Sequence, residues 1–93
     1  MAVGAIPVSF KKKLTETNKA QRITTESRTL SGCVITAKSG NTEPVHIGPS
    51  TVNGESYELV AGQSLSIDIV DVGRVYVYGK ANDEVNVFGL AVV

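Results

Sequence analysis

Apolar and polar residues alternate with a period of two through most of the second half of the chain. In Ser64–Asp71 the residues Leu65, Ile67 and Ile69 fall on one face, while Ser66, Asp68 and Val70 fall on the other; this pattern predicts a half-buried strand. Val75 and Val77 alternate with Tyr76 and Tyr78 in the same way, and Asp71 to Gly73 reads as the turn between the two runs. Glu84 to Val93 is a closing strand in which Val85 and Val87 share a face. Leu90 and Val92 are out of step with them, so a bulge at Phe88-Gly89 is expected to restore the phase.

Upstream, Cys33, Ile35 and Ala37 lie on one side of a strand that ends in the turn chemistry of Ser39-Gly40-Asn41-Thr42. Val45 to Ile47 is a short strand bracketed by Pro44 and Pro49, which places it at a sheet edge, where a missing N–H is tolerated. Asn53-Gly54 is the sharpest hairpin signal because both residues accept positive φ, and residues 57 to 60 form the next strand. Residues 11 to 29 lack a helical apolar stripe, and their Thr residues and Ile23 disfavour a helix, so Ser9–Leu14 and Gln21–Glu26 are read as exposed strands. Regular glycines at 32, 40, 48, 54 and 62 punctuate these runs. The fold class that follows is all-β: one small β-sandwich of about eight strands.

Length agrees with a single domain, since 93 residues hold one thin core and little room for a deep catalytic cleft. Fourteen Val and eight Thr favour pleated sheet, and the chain has no Trp. The formal charge is zero, but it is unevenly distributed. Residues 1 to 30 carry six Lys/Arg against Glu16 and Glu26, whereas residues 31 to 93 carry three against seven acids. The basic front divides into an N-terminal arm, residues 1–13, followed by the sandwich at 14–93. Within the arm Ala2 to Val8 is a small apolar tip, and Ile6, Val8, Phe10, Lys11, Lys12 and Lys13 are candidate contacts to a partner protein or a second copy, the lysines meeting carboxylates there. A single cysteine, Cys33, closes the intramolecular disulfide route to stability. There is no run of 18 apolar residues, and Met1–Pro7 lacks the charge and length of a signal peptide, so a soluble protein made in a cytosol is expected, with no membrane partner.

Tests for reaction chemistry return little. A nucleophile needs a base within reach, and the only histidine, His46, lies in a strand with no third orienting group for a dyad with Cys33. One Cys and one His fall short of a zinc site, and Asp83-Glu84 and Asp68 with Asp71 match no calcium loop, so they are read as solvated turn acids. Gly48 to Gly54 lacks the trailing Lys-Ser/Thr of a phosphate loop. No catalysis, cofactor or metal is therefore expected. Lys11 to Lys13 with Lys19, Arg22 and Arg28 could meet phosphates, but the neutral chain and the absence of interleaved aromatics weigh against nucleic acid. Tyr76 and Tyr78 should point outward side by side, as an exposed aromatic contact.

Val34-Ile35-Thr36-Ala37, Gly40-Asn41-Thr42, Val45-His46-Ile47-Gly48, Ser50-Thr51-Val52, Leu59 to Gly62, Val75-Tyr76-Val77-Tyr78-Gly79 and Val85 occur in an order that resembles the small β-sandwich, jelly-roll-like modules of tailed-bacteriophage virions. Ala61, where a Pro is common, and Ala81-Asn82-Asp83, which lacks a preceding Gly, depart from that pattern. The resemblance covers residues 33 to 93 and implies a capsid decoration (cement) protein. Such a protein is expected to bind the outer surface of the major capsid protein shell as a homotrimer on the virion, without catalysis. The same fold could instead carry a carbohydrate- or host-surface-binding module, a head-tail adaptor or a tail component.

Overall fold

The computed structural model describes residues 5–92. Eight strands follow in order: β1 (Ala5–Lys13), β2 (Gln21–Arg22), β3 (Thr29–Ala37), β4 (Val45–Gly48), β5 (Tyr57–Leu59), β6 (Ser64–Asp71), β7 (Tyr76–Tyr78) and β8 (Glu84–Val92). A 3-10 turn, Val72–Arg74, joins β6 to β7. The strands form two antiparallel four-stranded sheets, A in the order β1-β8-β3-β6 and B in the order β2-β7-β4-β5. Successive strands alternate between the sheets except at the β4–β5 hairpin, which is the order of an eight-stranded jelly roll. Sheet A is built from strands of eight or nine residues and sheet B from strands of two to four.

Val, Leu and Ile fill the space between the sheets. Leu30, Cys33, Ile35 and Ala37 of β3 and Val85, Val87 and Ala91 of β8 meet Val45, Ile47, Leu59 and Val77 of sheet B. Leu14, Ile23, Val72 and Val75 close the ends of this layer. Short branched side chains suit sheets that pack about 10 Å apart, so the valine-rich composition is a consequence of the two-layer geometry. Ile35, Val75, Val77, Val85 and Val87 occupy the inner positions that alternation predicts.

The bulge lies in β3, not in β8. Pairing between β3 and β8 shifts by one residue between Ser31 and Val34, and Gly32 there has a φ of 57°, a left-handed conformation in which a side chain is strained. The extra residue flips the inner set of β3 from Leu30 to Cys33, Ile35 and Ala37. Pairing of β3 with β6 continues through the bulge without slip, so β6 changes phase with it. Leu65 and Ile67 pack partly against the core, then Val70 does, while Ile69 is 67% exposed on the outer face. The expectation that Ile69 is a core residue is therefore corrected.

Strand β8 keeps strict alternation, with Gly89 and Ala91 continuing inward and Phe88 and Leu90 outward. A Cβ at Gly89 would stand 3.0 Å from Leu30 Cδ1; the leucine uses the room that glycine leaves. Two further expectations change. β4 lies inside sheet B between β7 and β5, because Pro44 and Pro49 flank it and remove no ladder bond. Asn53-Gly54 is not a two-residue hairpin, and neither residue has positive φ. Instead Asn53 Oδ1 accepts the Glu55 N–H at 2.8 Å within the longer connection from β4 to β5.

Residues 5–13 of the expected arm are strand β1, the edge of sheet A, paired with β8 along its whole length from Ala5↔Val92 to Lys13↔Glu84. Residues 1–4 lie outside the described residues. The expected strand Gln21–Glu26 is limited to Gln21–Arg22, and residues 23–28 run as a loop to β3.

Candidate functional site

Both β1 and β2 are edge strands, on the same open side of the sandwich. Between β1 and the segment from Arg22 to Arg28 lies a groove of about 460 Å3. Val8, Phe10, Ile23 and Val72 give it apolar walls, and Lys12, Arg22 and Arg28 with Glu26 border it. Alternation along β1 puts Val8, Phe10 and Lys12 on the groove side, and Ser9, Lys11 and Lys13 on the outer face. The far wall is fixed by Gly73, where a Cβ would fall 2.8 Å from Ser27 Cα, and by Arg22 Nε, which donates to the Gly73 carbonyl at 3.1 Å. Asp71 clamps the same loop by accepting from Ser27 Oγ at 3.0 Å and from the Arg28 N–H at 3.2 Å. The Ser27 hydroxyl, joined by the Gly73 and Arg28 amides, holds the Asp71 carboxyl below its ordinary range.

Of the expected contact residues, Val8, Phe10 and Lys12 thus face one groove. Ile6 follows Val8 on the same side and is 52% exposed. Lys13 is exposed at the end of β1. Lys11 turns to the outer face, where its Nζ lies 3.3 Å from Glu84 Oε1, and Lys38 donates to Glu84 Oε2 at 3.2 Å. The Lys38 hydrogen bond and the Lys11 ammonium lower the Glu84 pKa, although partial desolvation opposes them. Part of the basic front is therefore neutralised within the chain.

The outer face of sheet A carries a second feature that sequence reasoning missed. Pro7, Leu90, Ser31 and Ile69 are successive partners in one row across the four strands, and Ser9, Phe88, Val34 and Ser66 form the next. Ile69, Phe88 and Leu90 are all exposed, and the charged side chains Lys11 and Glu84 lie further along the same face. Reading β8 as strictly alternating would have exposed Phe88 and Leu90; the large residues obscured the inward role of Gly89.

Tyr76 and Tyr78 do point outward from sheet B and are half-buried. His46, the partner of Tyr78 across the ladder, meets it edge-to-face with ring centroids 6.0 Å apart, and its Nδ1 is 3.2 Å from the Ser56 carbonyl oxygen. A depression of about 250 Å3 beside them is bordered by Asn18, Glu43, Glu58 and Lys80. Cys33 points into the core from sheet A, whereas His46 points out of sheet B, so the two do not form a dyad. Burial pushes the Cys33 thiol pKa up.

Asp83 is not a solvated turn acid. It is 4% exposed and accepts from the Thr42 N–H at 3.0 Å, from Thr42 Oγ1 at 3.2 Å and from the Glu43 N–H at 3.2 Å, tying the β3–β4 loop to the start of β8. Among the described residues, no group of three or more His, Cys, Asp or Glu side chains is placed to hold a metal ion. No helix among them is long and apolar enough to cross a membrane. No protein-family model matches the chain, and no curated protein or solved structure is significantly similar to it.

Proposed function

We propose that the chain is a structural binding module that decorates a tailed-phage capsid, docking sheet A on the outer surface of the major capsid protein shell as a homotrimer. The observation that supports this reading is the outer face of sheet A, where Phe88 and Leu90 stand exposed on β8 next to β1, and Ile69 is exposed on β6 across Ser31 from Leu90. Contiguous exposed apolar side chains on a sheet face suit a protein partner better than water. The acids that could serve chemistry are engaged in structure: Asp83 binds a loop, Asp71 clamps another, and Glu84 sits between two lysines. Attachment to capsids is tested by co-sedimentation of the purified protein with undecorated particles, followed by gel densitometry. Saturation at hundreds of copies per particle is expected, and replacing Phe88 and Leu90 by Ser should abolish it. Saturation near a dozen copies would make the chain an adaptor, and no association with capsids or their subunit would overturn the reading.

A second reading rests on sheet B. The edge-to-face pair of Tyr78 and His46, beside a depression bordered by Asn18, Glu43 and Glu58, offers a stacking surface and hydrogen-bonding groups of the kind that hold a sugar ring. Binding of polysaccharide that is lost on Tyr78→Ala, without capsid association, would favour this carbohydrate- or host-surface-binding role.

A further inference from the structure

The free edge of β1 has a definite hydrogen-bonding phase. The Leu14 N–H donates to the Asp83 carbonyl at 2.9 Å, and the Asn82 N–H donates to the Leu14 carbonyl at 2.8 Å, so residue 14 turns its backbone groups toward the β8 side. Alternation then turns the even residues of β1 to β8 and the odd residues to the open side. Pro7 fits this phase, since a proline within a strand is tolerated where its missing N–H would have faced outward. Ser9, Lys11 and Lys13 consequently present N–H and C=O groups at the open edge, directly above the groove.

We infer that this edge is a docking site for an extended, acidic segment of a partner polypeptide, which adds as a fifth strand to sheet A beside Ser9–Lys13. Two independent features point to this occupant. The ladder groups of Ser9, Lys11 and Lys13 are available, and a segment paired with five residues spans about 17 Å, the reach of a short strand-addition motif. The groove below has apolar walls, Phe10 and Ile23, bordered by the cations Lys12, Arg22 and Arg28 against the single anion Glu26, which pairs with Arg28 at 3.5 Å and leaves Lys12 and Arg22 in excess. Alternate side chains of the added strand would enter the groove, where apolar residues meet Phe10 and Ile23 and carboxylates meet Lys12. Arg22 contributes charge while its Nε stays on the Gly73 carbonyl.

The charge also selects against the obvious competitor. A second copy that paired its own β1 in register near Lys11 would oppose lysine to lysine, and Pro7 would break the ladder at its other end. The acidic strand meets neither obstacle. The inference does not depend on the partner being a capsid subunit, and its test needs no capsid.

The probe is a fluorescein-labelled Glu-Val peptide, Thr-Val-Thr-Glu-Thr-Glu-Thr, whose Val and Glu side chains share one face of a strand, added to the full chain. Fluorescence anisotropy should show saturable binding that weakens as salt rises, and the Ser9, Lys11 and Lys13 amides should gain protection from hydrogen exchange. Three comparisons locate the interaction. The same peptide with both Glu replaced by Lys should not bind. The Glu-Val peptide N-methylated at alternate positions keeps its charge but cannot complete the ladder, and it should lose at least about tenfold in affinity. Lys12→Glu should lose about tenfold or more, while Ser9→Pro, which removes an outward N–H and no bond to β8, should weaken binding with the fold intact by circular dichroism. Equal affinity for the N-methylated peptide would overturn the inference, as would unchanged binding in both variants. Failure of the Glu-Val peptide to bind at all would do the same, as would protection of those amides in the peptide-free protein through self-association.

Discussion

Ile35 and Ile69 form a matched pair for testing the phase of sheet A. Both are isoleucines on directly paired strands, yet Ile35 is fully buried and Ile69 is 67% exposed, because the β3 bulge reverses the phase of β6 between Ile67 and Val70. Ile→Ala removes the equivalent of about three methylenes, each worth about 0.8 kcal/mol when buried. At Ile35 the transfer loss of roughly 2.4 kcal/mol is joined by the cost of a cavity between close-packed sheets, which gives about 3 to 5 kcal/mol. A domain of this size has a total stability of about 5 to 14 kcal/mol, so Ile35→Ala should be among its most damaging substitutions. At Ile69 little area leaves water on folding and no cavity forms. The remaining cost is the lower strand preference of alanine, less than about 1 kcal/mol. Urea unfolding followed by circular dichroism, with m-values compared to confirm that both variants unfold over the same surface, measures the difference. Equal losses at the two positions would refute the bulge-driven phase, and a larger loss at Ile69 would invert it.

Asp83→Ala should release the Thr42 and Glu43 amides and cost about 0.5 to 1.5 kcal/mol for each hydrogen bond lost, since both residues lie in an exposed loop that water reaches, measured by the same unfolding curves. Stability should also fall in acid. Asp71 and Glu84 have folded pKa values below their ordinary ones, so their contribution is complete above the unfolded carboxylate range and is lost as pH falls through the folded values; melting temperatures between pH 7 and pH 2 should show this, with a flatter profile for the Asp71→Asn, Glu84→Gln double variant. Cys33, fully buried with a raised thiol pKa, should resist a thiol reagent such as dithionitrobenzoate in the native protein and react at once in urea; rapid labelling of the native chain would contradict the packing of β3.

Sequence alone makes legible the bounds of β6 and the inner face of the run from Val75 through β8. Ser64–Asp71 has the expected bounds, and Val75, Val77, Val85 and Val87 occupy the expected inner face. The errors share a cause: the pattern was read from large residues. Gly89 and Ala91 are inward positions with small side chains, so β8 looked out of phase when it was not. The true bulge, at Gly32, carries its signal in a positive φ that a glycine permits but does not announce. Its effect on Ile69 passes through strand pairing, which is a long-range fact. Asp83 looked like any turn acid, because the Thr42 and Glu43 amides that bury it are brought near only by the pairing of loops far apart in sequence. In the candidate site, the β1 residues Val8, Phe10 and Lys12 were visible as an apolar-basic run. Their opposite wall, Ile23 to Arg28, becomes a wall only because the jelly-roll order lays the β2 edge beside β1.

That topology also accounts for a neutral chain with a basic front and an acidic body. β1 pairs with β8, the last strand, so the lysine-rich end of β1 lies against the acidic start of β8 and Lys11 reaches Glu84. Asp71, at the end of β6, accepts from residues 27 and 28 at the start of β3, which holds the far wall of the groove in place. Both acids that hold the basic front are therefore fixed by strand register. Exposed ion pairs of this kind contribute little to stability, about 0 to 1 kcal/mol each, so their effect is mainly on where charge remains. Lys12 faces the groove, on the side of β1 opposite the lysine that Glu84 engages. Fold and charge thus converge on one edge: the pairing that builds sheet A anchors Lys11 on its outer face, while the same alternation leaves Lys12 facing the groove, with Arg22 on the opposite wall, to favour a negatively charged strand.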